Sequence, residues 1–213
     1  MITIRYTLLA DGPTDRALMP IIDWALRQQN VALVTQRNWA DLSRLPRKPK
    51  RLAERMTAAL NLYPCDLLCI HRDAEWEDPD VRQREIDEAL AAVRGDGQAA
   101  PAAVALIPVR MHEAWLLFDE AAIRFAAGNP NETQPLDLPP LAEVERMPDP
   151  KLALRQALRG ASGLHGRRLE RVELNSARIA DLIDDWAPLR RLSAFQRFEA
   201  ALALVCTEQG WLV

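Results

Sequence analysis

The sequence predicts an α/β protein with a mostly parallel four-stranded sheet, flanking helices on both faces and a C-terminal helical cap. Short apolar segments alternate four times with segments of helical periodicity, which is the order expected of strands joined by crossover helices. The third and fourth apolar segments, Asp66 to Ile70 and Ala103 to Val109, are continuous rather than alternating. Continuous apolar strands are typical of parallel sheets that are covered on both faces.

The first strand is predicted over Ile2 to Leu9, where apolar and polar residues alternate. Arg5 falls on the polar side of this pattern, so we expect the strand to be partly exposed at one end. A turn rich in glycine and proline follows, and Thr14 is the predicted N-cap of a helix over Asp15 to Gln29. A second, weaker strand is predicted over Val31 to Thr35.

The connecting helices are predicted from their apolar stripes and end signals. One covers Arg51 to Leu62, and a charged one runs from Pro79 to Arg94, where Gly95-Asp96-Gly97 stops it. The fourth strand leads into a helix that contains Trp115 and Phe118. The spacing of these two rings, like that of two later phenylalanines, predicts core positions and no binding role: Trp115, Phe118, Phe195 and Phe198.

The chain divides into an α/β core over residues 1–127, a loop over residues 128–150 and a helical region over residues 151–213. The loop is rich in proline, asparagine and acidic residues, which favours irregular structure. We expect the helical region to pack on the core rather than fold alone. Its predicted helices are Lys151 to Arg159, Ser176 to Trp186 and Ser193 to Gln209.

Composition excludes some classes of protein. At 213 residues the chain can bury one full-sized core, and its formal charge of −3 excludes a polycation that coats nucleic acid indiscriminately. The 3 cysteines show no zinc-type spacing and favour buried free thiols. No apolar run reaches the ~20 residues of a membrane span, and no signal sequence is evident. We therefore expect a cytoplasmic protein with no membrane partner.

Acidic residues follow three of the predicted strands. Asp11 follows the first strand, Asp73 and Glu75 follow the third, and Glu113 follows the fourth. Ligands of open parallel sheets bind beyond the carboxyl ends of the strands, so we expect these carboxylates to converge there. A divalent cation would relieve their mutual repulsion and suit phosphodiester chemistry. The alternative is that each acid is a helix cap or a first-turn residue, which the helix dipole also favours.

Several motifs together resemble an uncharacterised bacterial TOPRIM-related family, domain of unknown function 4276, over nearly the whole chain. The motifs that carry the resemblance are Leu8 to Arg16, Asp73-Ala74-Glu75, Met111 to Leu117, Pro148 to Lys151 and Leu192 to Phe198. The first is similar to the acidic-Gly-x-Thr-acidic opening of TOPRIM-like domains. The second is similar to their Asp-x-Asp motif, with Glu75 in the second acidic place.

The resemblance implies a TOPRIM-like (Rossmann-like) sheet, a magnesium or manganese ion, and distant similarity to OLD-type nucleases. By position, Asp11 takes the catalytic acid–base role. Asp73, Glu75 and Glu113 hold the metal, and Asp11 is a further ligand. Asp73 and Glu113 are also catalytic. Relatives usually have glutamate at the place of Asp11, whose side chain is shorter by one methylene, about 1.5 Å. The resemblance also implies phage defence and an ATPase partner protein.

The sequence further predicts a nucleic-acid contact. Residues 44–55 hold six cations against one anion, and Lys48, Lys50 and Arg51 lie in this basic loop. Such a cluster attracts a polyanionic backbone, although a solvated loop is the alternative interpretation. Arg72 could contact phosphate, and so could His71 and His112, which could also act as acid or base. Lys151 could reach the acidic edge or lie on the surface.

Two functions remain open on the sequence alone. The first is a metal-dependent nuclease or related phosphotransfer protein acting on DNA or RNA. The second is a non-catalytic TOPRIM-like module that regulates or assembles with an ATPase. The carboxylates and the basic loop favour the nuclease, whereas Asp11 and the modest net charge favour the module.

Overall fold

The computed structural model describes residues 2–30, 32–95 and 100–212. Within these residues the strands form a four-stranded sheet, all parallel, in the order β2-β1-β3-β4. This confirms the predicted α/β class and the parallel sheet. The strands are β1 Ile2–Leu9, β2 Leu33–Trp39, β3 Leu67–His71 and β4 Ala102–Leu106.

The register of the sheet aligns the carboxyl ends of three strands. Leu9 of β1 pairs with Ile70 of β3, and His71 of β3 pairs with Leu106 of β4. The segments that follow β1, β3 and β4 therefore leave the sheet at one edge, where they are near neighbours because adjacent strands lie about 4.8 Å apart.

Helices cover both faces of the sheet. Helices α2 and α3 pack with Leu9, Leu68 and Ile70 on one face, and α1 and α8 pack with Tyr6 and Leu8 on the other. This is why β3 is buried at every position. The helices are α1 Leu18–Gln29, α2 Leu52–Leu62, α3 Pro79–Gly95, α4 Glu120–Ala126, α5 Pro150–Ala161, α6 Arg167–Glu170, α7 Ser176–Ala180 and α8 Ser193–Glu208.

The C-terminal helices share a core with the sheet through aromatic side chains. Phe195 of α8 is fully buried and lies edge-on to Trp115, with ring centroids 5.5 Å apart. It also contacts Trp24 of α1 at 6.2 Å and Phe198 at 5.9 Å. The predicted core positions of these rings are confirmed, and Phe118 packs against the same core.

The first strand agrees with the expectation, whereas the second differs from it. Arg5 is half-exposed and pairs with Asp66, as the alternating pattern of β1 predicted. The second strand was predicted too early, since it continues to Trp39 through the polar residues 35–38. These residues lie on the edge strand β2, where exposed polar side chains are tolerated and no apolar pattern marks the strand. Val31, the predicted start, lies outside the described residues.

The turn after β1 was also mispredicted. A 3₁₀ turn over Pro13–Ala17 precedes α1, and Gly12 rather than Thr14 occupies its N-cap position. The helix predicted around Trp115 is a 3₁₀ turn over His112–Leu116, followed by α4.

One helix end was predicted wrongly, and another prediction lies partly outside the described residues. The helix predicted over Ser176 to Trp186 ends early, since α7 stops at Ala180. Helix α3 ends at Gly95, and the predicted stop residues Asp96 and Gly97 lie outside the described residues.

No helix within the described ranges is long and apolar enough to cross a membrane.

Replacing Phe195 with alanine should lower the free energy of unfolding by about 3–5 kcal/mol, because it empties a fully buried ring site between α8, α1 and the sheet. The matched control is Phe125→Ala in α4, where the ring is 55% exposed and the loss should stay within about 0.5 kcal/mol. Urea unfolding of both variants measures the difference. Equal losses would contradict a core shared between α8 and the sheet.

Candidate metal centre

Asp15 enters the carboxyl edge of the sheet from the turn after β1. Its carboxylate accepts a hydrogen bond from the backbone N–H of Gly12 at 2.8 Å and one from the Thr14 hydroxyl at 3.3 Å. The residue is only 6% exposed. The 3₁₀ turn thus holds a nearly buried carboxylate in a fixed position, and both of its oxygens face histidines.

His71 ends β3 and faces the same point. Its Nδ1 lies 3.1 Å from the carbonyl oxygen of Leu106. Because a carbonyl can only accept, Nδ1 donates this hydrogen bond, and Nε2 faces the carboxylates of the edge. Nε2 lies 3.4 Å from the Oδ1 atom of Asp73 and 4.0 Å from the Oδ2 atom of Asp15. In metal-binding histidines, one ring nitrogen usually donates to a backbone carbonyl, a carboxylate or water, and the other nitrogen binds the metal.

Asp73 is fixed by the loop that follows β4. Its Oδ1 atom accepts a hydrogen bond of 2.9 Å from the backbone N–H of His112. The β3 and β4 loops continue the ladder beyond the strands, since the N–H groups of Arg72 and Ala74 donate to the carbonyls of Leu106 and Pro108. Backbone pairing therefore places Asp73 against the start of the His112 turn.

His112 and Glu113 open the 3₁₀ turn after β4, and each is about 2% exposed. The Nδ1 atom of His112 lies 3.5 Å from Asp15 Oδ1 and 3.6 Å from Glu113 Oε2. Neither ring nitrogen of His112 has a hydrogen-bond partner within the described part of the chain. A buried imidazole without partners is costly unless a ligand or an ion satisfies it.

These side chains form one group, which we call the edge cluster: Asp15, His71, Asp73, His112 and Glu113. One ligand atom each from Asp15, His71 and His112 lies within 4.8 Å of the other two, so the three could hold a metal ion. The imidazole rings are nearly perpendicular, with centroids 5.8 Å apart. Two nitrogens and several carboxylate oxygens around one point suit a divalent transition metal.

Burial and crowding change the acidity of the edge cluster. Burial, with the nearby carboxylates of Asp15 and Glu113, raises the pKa of Asp73 to about 7, against the opposing effect of His71. Burial also raises the pKa of Glu113. It lowers the pKa of His112 to about 4, so this ring is neutral near pH 7 and its lone pair can bind a metal. A cation would relieve the crowding of these carboxylates.

Asp11 lies at the same edge, but its carboxylate faces arginines rather than the histidines. It pairs with Arg55 and, at 3.4 Å, with the Nε atom of Arg72. Glu75 points away from the cluster, with its side chain 62% exposed and 3.9 Å from Arg82. The structure thus brings Asp73 and Glu113 to the edge cluster as expected. The catalytic role of Asp11 and the ligand roles of Asp11 and Glu75 stay predictions.

The residues predicted to contact nucleic acid lie on the Asp11 side of the edge. Lys48 and Lys50 line a cleft of about 340 Å³ together with Asp11. Arg51 is exposed at the start of α2. Arg72 links Asp11 to Glu85, which lies 3.5 Å from its guanidinium.

Lys151 reaches the acidic edge, as one of its two interpretations predicted. Its Nζ atom, near the start of α5, lies 3.8 Å from Glu113 Oε1. The side chain is 43% exposed and therefore stands at the mouth of the edge cluster.

Asp15 is the cluster residue that sequence reasoning missed as a ligand. It was taken as the first residue of a helix, and both Asp11 and Asp15 follow β1 closely. The sequence feature that could have indicated this position is Gly12-Pro13-Thr14-Asp15, which forms a 3₁₀ turn and directs Asp15 toward the sheet edge. His71 and His112 were recognised as flanking residues, but their burial was not visible in the pattern.

Comparison of the chain with protein-family models, with curated proteins and with solved structures gives no match. The TOPRIM-like resemblance therefore continues to depend on the motifs alone.

Manganese should raise the melting temperature of the protein, because a ligand that binds only the folded state stabilises it by about 2.7 kcal/mol at 100 times its Kd. Asp15→Asn and His71→Gln should each remove most of this shift, since they change two of the three grouped ligands. Asp11→Asn is the matched control and should keep the shift. Differential scanning calorimetry measures all four proteins. If Asp11→Asn loses the shift and Asp15→Asn keeps it, the metal lies on the Asp11 side instead.

Proposed function

We propose that the protein is a divalent-metal-dependent hydrolase of phosphodiester bonds in nucleic acid, a TOPRIM-like nuclease. The observation that supports this most is the edge cluster, in which carboxylates and imidazole nitrogens meet at the carboxyl edge of a parallel sheet. Such edges are where open α/β sheets bind ligands. The motif resemblance and the basic loop beside the edge point the same way.

The ligand set favours manganese over magnesium. Magnesium prefers oxygen ligands and retained water, whereas imidazole nitrogen suits transition metals. The grouped atoms of His71 and His112 supply two such nitrogens beside the Asp15 carboxylate. When bound, the metal would polarise a phosphoryl oxygen and lower the pKa of a bound water.

The remaining side chains have roles that follow from their positions. Asp15, His71 and His112 would hold the metal, and the carbonyl of Leu106 keeps Nε2 of His71 free for it. Asp73 and Glu113 adjoin this group and would act as further ligands or as the base that takes a proton from water. Lys151 at the mouth would attract the phosphate and offset its charge.

Cleavage of labelled DNA or RNA should require Mn²⁺ or Mg²⁺ and should be faster with Mn²⁺. Asp73→Ala and Glu113→Ala should each lower the rate by at least about 100-fold, since even the supporting partners of metal ligands are worth about 10–100-fold. The matched control is Glu88→Gln, whose side chain is exposed on α3 and which should leave the rate unchanged. Gel assays on single-stranded and duplex substrates measure the rates.

Cleavage that persists in Asp73→Ala would indicate a different site or a contaminant. Absence of cleavage on every substrate, with metal binding intact, would favour the alternative of a non-catalytic module that works with an ATPase partner.

A further inference from the structure

A second cleft begins at the edge cluster and runs along α5. Its volume is about 380 Å³. Thr14, which donates to Asp15, and Lys151, which lies beside Glu113, line the cleft at the end nearest the cluster. We call it the α5 cleft. It shares no lining residue with the cleft beside Lys48 and Lys50.

The α5 cleft is lined by a row of cations. Lys151, Arg155 and Arg159 are four residues apart, so they lie on one helical face at intervals of about 6 Å. The row therefore extends about 12 Å, whereas a nucleic-acid duplex carries a phosphate about every 3.4 Å along each strand. A row of this length fits consecutive phosphates better than one isolated anion.

Two buried donors in the α5 cleft have no partner within the described residues. The hydroxyl of Ser176 is unpaired although the residue is only 2% exposed. The Nε atom of Arg159 is also buried and unpaired. Buried donors in native structures are normally satisfied, so both are available to an acceptor that enters the cleft. Phosphate oxygens are such acceptors, and a guanidinium can bind them at two points.

Two acidic residues also line the α5 cleft, namely Glu170 and Glu173. Both residues are exposed, so water and salt screen their charges, whereas Lys151, Arg155 and Arg159 are half-buried. Arg159 donates to the backbone carbonyl of Glu170 at 3.4 Å, which leaves the carboxylate of that residue out of the contact. The cleft therefore offers three cations against two better-solvated anions.

We infer that the α5 cleft binds the phosphodiester backbone of a nucleic-acid strand and leads it to the edge cluster. Lys151, Arg155 and Arg159 bind phosphates along the strand, and Ser176 donates a hydrogen bond to one of them. The inference depends on the proposed function only for the choice of nucleic acid as the polyanion. It places the strand in a cleft that shares no lining residue with the cleft beside the basic loop.

The test measures binding of a fluorescein-labelled oligonucleotide by fluorescence anisotropy, over a range of salt concentrations and in EDTA. Arg155→Gln and Arg159→Gln should each weaken binding about threefold or more and lower the salt slope by about 0.7–0.9, the contribution of one phosphate contact. Glu173→Gln should tighten binding, because it removes an anion from the cleft. Ser176→Ala should weaken binding without changing the slope, because it removes a donor and no charge.

The matched control is Arg94→Gln. Arg94 is exposed in the last turn of α3, at the opposite edge of the sheet from the cluster, so binding should not change. Melting temperatures of all variants show whether each is folded, and Arg155→Gln keeps the test decisive if Arg159→Gln does not fold. Inorganic phosphate at equal phosphate concentration should compete poorly, since it occupies one position of the row.

Unchanged binding in both α5 variants, or an equal loss in Arg94→Gln, would overturn the inference. Weaker oligonucleotide binding in Lys48→Gln and Lys50→Gln alone would place the strand on the basic loop instead. Competition by inorganic phosphate as strong as that by unlabelled oligonucleotide would also overturn it. Because the assay contains no metal, binding through α5 without any cleavage in the nuclease assay would contradict only the proposed hydrolysis.

Discussion

Crowding of carboxylates at the joined ends of β1, β3 and β4 is the constraint on which the site depends. Asp15 and Glu113 are almost fully buried, and Asp73 lies within 3.4 Å of a buried imidazole. Burying several anions together is unfavourable unless a cation, a proton or hydrogen bonds compensate. Backbone N–H groups and Lys151 supply part of this compensation. Asp15, His71 and His112 could hold a metal ion that supplies the remainder.

The loops after β3 and β4 show how the chain maintains this arrangement. Glu75 and Arg110 both have positive φ, at 57° and 68°, a conformation that costs a non-glycine residue free energy. Two hydrogen bonds join these residues. The Glu75 N–H donates to the Arg110 carbonyl, and the Arg110 guanidinium donates to the Glu75 carbonyl. Arg110 also stacks on the exposed ring of Trp76. This clamp keeps the two loops in register, so that Asp73 meets the backbone of His112.

Charge is distributed on both sides of the edge cluster. The basic loop and Arg72 lie on the Asp11 side, while α5 presents its cations on the side of Thr14 and Lys151. Asp11 is tied to Arg55 and Arg72, which makes it less available as a metal ligand than Asp15. Its carboxylate thus lies between two arginines at the rim. An edge with anions at its centre and cations on either side suits a cation together with a polyanionic ligand.

Apolar pattern by itself determined the fold class, the presence of four strands and the edge at which acidic residues gather, because β3 is buried at every position and β4 is buried or half-buried along its length. It located Asp73 and Glu113 correctly at that edge and recognised His71 and His112 as their neighbours. Only the tertiary structure decided that Asp15, not Asp11, faces the histidines, since a 3₁₀ turn reverses the direction in which the two side chains point. The polar edge strand β2 was missed in part for a related reason: it is specified by hydrogen bonds to β1 rather than by its own side chains. Local pattern reflects burial along one segment, whereas a site is made by side chains from separate segments, and their distances depend on register and turn geometry.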